Sequence, residues 1–408
     1  MKILSETDRL FIQQHLTDDV AALLLRPHSA GSDVRVLAAQ IAARQKARSK
    51  LPAWYANASL VFPPALSVEQ ASSEATAQYK ASLVSGGQLL DLTGGMGVDT
   101  WAFAGSVGSV VYVERNAELV ELAAYNLAQL GATNVQVETG DGLVFLDTLT
   151  EPADWIYLDP HRRDERGGKV VLLDEYEPNV LTLLSQLAQK SRKLLLKVSP
   201  MIDLKQTIRQ LGPAEIHIVA VQGEVKEVLL IVDHTTPPTT DPTFVAVNRL
   251  ATHDETLRFT LTDEEQAIAP FGDPQAYLYE PNAAVLKAGA FRLLASRFGL
   301  TKLAPNSHLY TSEQLVSGVP GRAFRVDQLV KPDRKSLQAV LPGLKANLAV
   351  RNFPQTVAEL RRKLSLRDGG DAYLFATTLL NGDKRLIITH KVDKSTEPQP
   401  VDSALAID

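Results

Sequence analysis

The chain has 408 residues, 45% of them hydrophobic and 22% charged, and a net charge of −5. This is ordinary globular composition at a length suited to about two to four domains, and a small acidic excess alone says nothing about nucleic acid. Cysteine is absent, which excludes disulfides, thiolate metal sites and thiolate nucleophiles and suits a reducing cytoplasm. The opening residues, MKILSETDRLFIQQHL, contain no apolar signal core, and nothing approaches the roughly 18 unbroken apolar residues of a membrane span. The expectation is a soluble, cytoplasmic protein.

Residues 1–80 read as an alanine-rich N-terminal helical domain. Asp33 is placed to cap a helix with Val34, Leu37, Ala38 and Ile41 on one face. Arg35, Arg44, Lys46, Arg48 and Lys50 decorate the rest of it. The double proline at 63–64 interrupts the chain, and a helix is expected to restart near Ser67.

Residues 81–235 alternate strands and helices. The strands are QLLDLT, SVVYVE, VQVETGD, ADWIYLDP and KLLLKVSP, and the pair EIHIVAVQ and VKEVLLIVD closes the series as a hairpin. Repeated strand–helix units imply an α/β fold: a Rossmann-like, mostly parallel sheet with an antiparallel closing hairpin. HTTPPTTDP (His234 to Pro242) is a linker. Residues 243–330 read as a small α+β domain with one helix over NAAVLKAGAFRLLASRFGL. Residues 331–395 read as a second, ending in a hairpin that turns at Asn381-Gly382-Asp383.

The segment LLDLTGGMGVDT (Leu89 to Thr100) carries the chemistry. A strand-end carboxylate, then glycines, then a helix start is a ligand-binding turn at the carboxyl edge of a parallel sheet. The dehydrogenase fingerprint fails, because the sixth position counted from Gly95 is Thr100, and no GK[ST] follows to make a phosphate loop. An acidic-x-x-G-G-x-G pattern suits S-adenosylmethionine better. Asp91 faces the ammonium, directly or through water. Thr93, Gly94, Gly95, Gly97, Val98 and Asp99 let the backbone pass under the methionine and ribose. Glu114, followed by Arg115 and Asn116, accepts from both ribose hydroxyls. Asp141-Gly142 meets the adenine amine, and Asp159-Pro160 lies beside the transferable methyl. Plain turns, helix caps (Asp141 above all) and a solvated loop after Glu114 are the alternatives for each motif taken singly.

On these residues the chain resembles class I S-adenosylmethionine-dependent methyltransferases. More narrowly it resembles a bacterial group whose C-terminal segment is called THUMP-like, after an RNA-binding domain of tRNA-modifying enzymes. SVEQASSEATAQYK (67–80), YLDPHRRD (157–164), KVSPMIDL (197–204), YLYEPNAAVLKAGAF (277–291) and RNFPQTVAELRRKLSLRDGGDAYLFATT (351–378) carry that narrower likeness. The resemblance implies a ferredoxin-like middle segment and kinship with cap-guanine amine methyltransferases. It also implies catalytic roles for Asp159, Pro160 and His161.

Amine methyltransferases usually place [DNS]-P-P-aromatic after the fourth strand. Here Asp159-Pro160 is kept, but His161 stands in place of the second proline and the aromatic is missing. His161 can stack or act as a general base. Arg162, Arg163 and Lys197 are candidate substrate-binding cations, and the arginines can instead pair with Asp164, Glu165 or Asp174. Tyr176 is expected beside the pocket. Without cysteine the thiolate route to pyrimidine carbon-5 is closed, which favours a nitrogen or oxygen acceptor. The eight histidines show no ligand spacing, and no metal is expected.

Basic residues recur at Arg35–Lys50 and Lys345–Lys391, the latter interleaved with Phe353, Tyr373 and Phe375. They suggest an RNA partner, tRNA or rRNA, bound through phosphates. A merely solvated basic surface is the alternative. Three functions stay open: methylation of structured RNA, methylation of a protein or small molecule, and RNA binding without turnover.

Overall fold

The computed structural model describes residues 3–25, 33–162 and 172–392, with the backbone only of Arg162. The chain divides into two compact units, Met1–Ile216 with Lys226–Pro242, and His217–Val225 with Thr243–Asp408.

The first unit is organised by a twisted sheet. β1 (Gln88–Asp91), β2 (Ser109–Glu114), β3 (Val135–Thr139) and β4 (Ala153–Leu158) run parallel, with β1 flanked by β2 and β4. Beyond β4 the chain forms a two-residue ribbon, β5 (His161–Arg162) against β6 (Tyr176–Glu177). It then enters β7 (Ser191–Val198), parallel to β4. The closing hairpin is β8 (Glu215–Val221) and β9 (Glu224–Asp233), and β9 lies antiparallel to β7. Leu89, Leu90, Val110, Ile156 and Leu194 to Leu196 are buried on both sides of the sheet, which is why these strands read as unbroken apolar runs.

The helices before residue 83 share this unit's core. Trp54, Leu60, Phe62 and Val68 pack on Met96 and Val98, at the glycine turn. Asp33 caps its helix as expected, accepting from the Arg35 amide at 2.9 Å. Two expectations fail here. Arg44 is no surface cation: it is 4% exposed and donates to the carbonyls of Tyr55, Asn57, Ala58 and Leu60. The helix near Ser67 is two helices, Ala65–Gln70 and Glu74–Ser82, because Ser73 leaves helical geometry to cap the second.

In the second unit β10 (Thr243–Arg249) pairs antiparallel with β11 (Asp254–Phe259) and lies beside the hairpin tip, where the Gln222 amide donates to the Arg249 carbonyl at 3.0 Å. A seven-stranded sheet follows, built from β12 (Tyr277–Pro281), β13 (Thr301–Lys302), β14 (Tyr310–Ser312), β15 (Gly321–Val330), β16 (Asn347–Arg351), β17 (Ala372–Thr378) and β18 (Lys384–Lys391) in the order β13-β14-β12-β15-β18-β17-β16. The single helix expected over 282–300 is two, Ala283–Ala288 and Arg292–Phe298. Gly289 ends the first at φ +82°, a left-handed value that glycine adopts without strain. The β17–β18 hairpin turns at Gly382 as expected.

Candidate active site

The carboxyl ends of β1 to β4 meet at a cavity of about 460 Å³, a usual size for a small-molecule site. Thr93, Glu114, Arg115, Asp141, Gly142, Asp159 and His161 of the expected residues line it.

Gly94, Gly95 and Gly97 are not in its lining; they position the residues that are. Gly94 permits a close approach: a Cβ there would lie 2.2 Å from the Tyr112 ring. The Tyr112 hydroxyl donates to the Gly95 carbonyl at 2.7 Å, and burial holds that phenol well above its usual pKa. Gly95 and Gly97 take φ of +52° and +86°, and Val98 begins the next helix, buried.

Glu114 is held by two amides. Gly95 donates to Oε2 at 3.0 Å and Asn116 to Oε1 at 2.8 Å. Each carboxylate oxygen keeps a second lone pair, the arrangement that accepts from a vicinal diol. The Asn116 side chain caps the following helix, accepting from Glu118 at 3.0 Å. Asp141 also caps a helix, accepting from Leu143 at 2.8 Å, while still lining the cavity. The cap and the site are therefore one residue here. The donor set fits S-adenosylmethionine: a diol acceptor at Glu114, an acceptor at Asp141 beside Gly142, and a bare glycine turn between them.

Asp91, Val98 and Asp99 lie behind this surface. Asp91 is 1% exposed and accepts from the Thr93 amide at 3.1 Å and the Thr100 hydroxyl at 2.6 Å. Thr93 in turn accepts from the Asp159 amide at 2.8 Å, so the ends of β1 and β4 are locked together. Asp159 reaches the cavity with its Oδ2 2.6 Å from Lys197 Nζ. Burial works against the Lys197 charge, yet Asp159, Glu227 and Asp99 together raise its pKa above the ordinary lysine value. Lys197, expected to contact substrate, is thus the fixed counter-ion of Asp159.

A buried network that the sequence reading missed supports this wall. Lys80, wholly buried, lies 2.9 Å from both Glu227 oxygens and 3.2 Å from Asp99. Asp99 also accepts from Ser72 at 2.7 Å and Tyr157 at 2.8 Å. Glu227 stands beside Lys226 at the polar start of β9, just before the apolar run Val228–Val232, so nothing in the sequence signals that it is buried. Its partner, 147 positions away, was not readable.

Tyr176 does not reach the pocket. It is 2% exposed and its hydroxyl accepts from the Ser199 amide at 2.9 Å. Its neighbours Glu177, Pro178 and Asn179 form the outer wall instead. Arg163, Asp164 and Glu165 lie outside the described residues. Among the described residues no group of histidines and carboxylates is arranged to hold a metal.

The geometry can now be set beside known proteins. A solved structure of a Porphyromonas gingivalis W83 protein assigned as a methyltransferase is 33% identical, covering 96% of this chain and 100% of the other, with a TM-score of 0.86. The chain belongs to the class I S-adenosylmethionine-dependent methyltransferases that carry a THUMP-like domain. The family described as THUMP domain-like matches residues 321–391 of this methyltransferase, and a ferredoxin-like domain matches 277–320. The family of protein-L-isoaspartate (D-aspartate) O-methyltransferases matches 48–158, the segment that ends at the cavity. An uncharacterised S-adenosylmethionine-dependent methyltransferase of Mycobacterium tuberculosis is 25% identical over 305 residues, 74% of this chain and 80% of the relative. A Sulfolobus acidocaldarius protein assigned as a cobalt-precorrin-6B C(15)-methyltransferase is 30% identical over 129 residues, 28% of this chain and 67% of the relative. The methyltransferase therefore uses S-adenosylmethionine.

Proposed function

We propose that the enzyme methylates a nitrogen or oxygen of structured RNA, tRNA or rRNA, in the cytoplasm. The observation that carries this reading is the THUMP-like match over 321–391 in a chain that also holds a cavity ending in Asp159. Glu114 would hold the ribose of the cofactor, Asp141 the adenine amine, and the turn from Thr93 to Gly97 the methionine end. S-adenosylmethionine supplies a methyl group on a sulfonium, which leaves readily. Asp159 and the Pro160 carbonyl orient an N–H or O–H acceptor, and Lys197 keeps the Asp159 carboxylate ionised and in place. His161, exposed on the cavity rim, takes the proton the acceptor gives up. Positioning supplies most of the acceleration in such a displacement.

A protein or small-molecule acceptor is the second reading, favoured by the O-methyltransferase match over 48–158. The two separate in one assay. Purified enzyme with radiolabelled S-adenosylmethionine is given size-fractionated RNA from cells lacking the protein. The expected result is label in one RNA fraction that disappears with Asp159→Ala. Label in no RNA fraction, with cofactor binding intact, would overturn the RNA reading.

A further inference from the structure

The second unit contains a cavity of about 780 Å³ whose lining shares no residue with the candidate active site. It is assembled from residues far apart in sequence. Glu280 and Asn282 come from the end of β12, Arg322 from β15, Arg351 from the end of β16 and Lys391 from β18. The segments YLYEPNAAVLKAGAF and RNFPQTVAELRRKL thus meet here.

Charge at this cavity is unbalanced. Its lining holds the cations Arg322, Arg351 and Lys391 against the carboxylates Glu255 and Glu280. Glu280, 4% exposed, is shared: Arg322 donates to Oε2 through Nε and Nη2, and Arg351 Nη2 reaches Oε1 at 2.6 Å. One carboxylate therefore fixes two guanidiniums. Arg322 is further clamped over the rings of Phe324 and Tyr373, at 5.4 and 5.6 Å from their centroids. Donors remain over. Among the described residues Arg351 Nε is buried with no acceptor, Arg322 donates only to Glu280, and Lys391 has no ion-pair partner.

The rest of the lining is not that of a simple anion trap. Asn248 and Asn282 both donate to Glu255, at 3.2 and 3.0 Å, making a polar wall. Leu250, Pro281 and Leu286 supply apolar surface. The volume far exceeds a lone phosphate and matches a ligand with a charged head, a hydroxylated middle and a flat apolar face.

We propose that this cavity is a second ligand site that binds a nucleotide through its phosphate, with Arg322, Arg351 and Lys391 as the phosphate contacts. The nucleotide can be free or the end of an RNA strand, since the phosphate chemistry is shared. The proposal does not rest on RNA methylation, because the site lies in the second unit and its occupancy can be read without any transfer.

The test is calorimetric titration of the full chain, with S-adenosylhomocysteine present in excess to fill the first cavity. The probes are uridine 5′-monophosphate and a single-stranded hexauridylate. The variants are Arg351→Lys, which removes the orphan Nε, and Lys391→Gln, an exposed and unpaired position whose change leaves the fold alone. Binding of the mononucleotide, weakened about ten-fold in Lys391→Gln, supports the site and identifies a free nucleotide as sufficient. Binding of the hexamer alone, weakened in the same way, supports it with an RNA end as the source. No binding of either probe at millimolar concentration overturns the proposal. So does binding that neither variant alters.

Discussion

Asp91 keeps its carboxylate out of water, between the Thr93 amide and the Thr100 hydroxyl. Burial, reinforced by the nearby charges of Asp99 and Asp159, pushes its pKa up to about 7. An acid whose pKa is higher folded than unfolded favours the protonated fold. Its contribution to stability is complete below the unfolded value, about 4, and is lost as pH rises to about 7. Asp91→Asn is neutral throughout. The melting temperature of the native protein, measured against that of Asp91→Asn, should therefore fall across this window and level off above it. Parallel melting curves would show that Asp91 ionises freely.

Gly94 makes a steric prediction. Alanine there would press its Cβ onto the Tyr112 ring, 2.2 Å away, at a cost of about 1–3 kcal/mol. The same displacement would disturb Gly95, whose amide orients Glu114. Gly94→Ala should lower the urea midpoint and weaken S-adenosylmethionine binding together, and adding Tyr112→Leu should restore the midpoint. The need for a bare backbone was legible in the sequence. Its immediate cause was not, because a missing side chain says that space is taken without saying by what. That Thr93, Glu114, Asp141 and Asp159 line one cavity was legible because each follows a strand, and strand ends on one edge of a parallel sheet converge.

The strands themselves were readable because parallel strands buried on both faces need continuous apolar sequence. Helix limits were less so. Ser73 and Gly289 are both tolerated inside helices, and only the packed structure shows that each ends or starts one. Arg44 misled for a related reason: a helix pattern shows a cation off the apolar face, but not the loop Tyr55–Leu60 that wraps it with carbonyls. The elements around the cofactor wall are joined by charge. Lys80 ties the helix Glu74–Ser82 to Glu227 on β9 and to Asp99 in the helix Val98–Ala104. Lys80→Met would strand two buried carboxylates, and removing one partner of a buried ionic group typically costs about 3–5 kcal/mol. Urea unfolding should show a loss of that order, partly recovered in Lys80→Met with Glu227→Gln. Equal stability of the native protein and Lys80→Met would mean that the network is relaxed by water.

RNA affinity, on the proposed reading, has to come from a chain whose net charge is −5, so the local surface decides. The aromatic residues interleaved with the C-terminal basic cluster pack inward. Phe375 is wholly buried, Tyr373 packs on Phe324 at 5.0 Å, and Phe353 lies against a core cluster. Sequence interleaving could not reveal this: Tyr373 and Phe375, two apart on β17, share one face of the strand, and both rings pack on Phe324. Part of the basic charge is also spent: Arg361 pairs with Asp368 and Arg385 with Asp383. Arg362 and Lys363, exposed on the helix Val357–Leu364, have no ion-pair partner among the described residues. They are among the cations free to displace counterions from phosphate. A variant with Arg362→Gln and Lys363→Gln should bind bulk tRNA more weakly and lose about 0.7–0.9 of salt slope for each phosphate contact removed. Its S-adenosylmethionine affinity should not change. Fluorescence anisotropy across a salt series reads both terms. An unchanged slope would place the phosphate contacts elsewhere, and an unchanged slope together with salt-independent binding in the native protein would count against RNA as the partner.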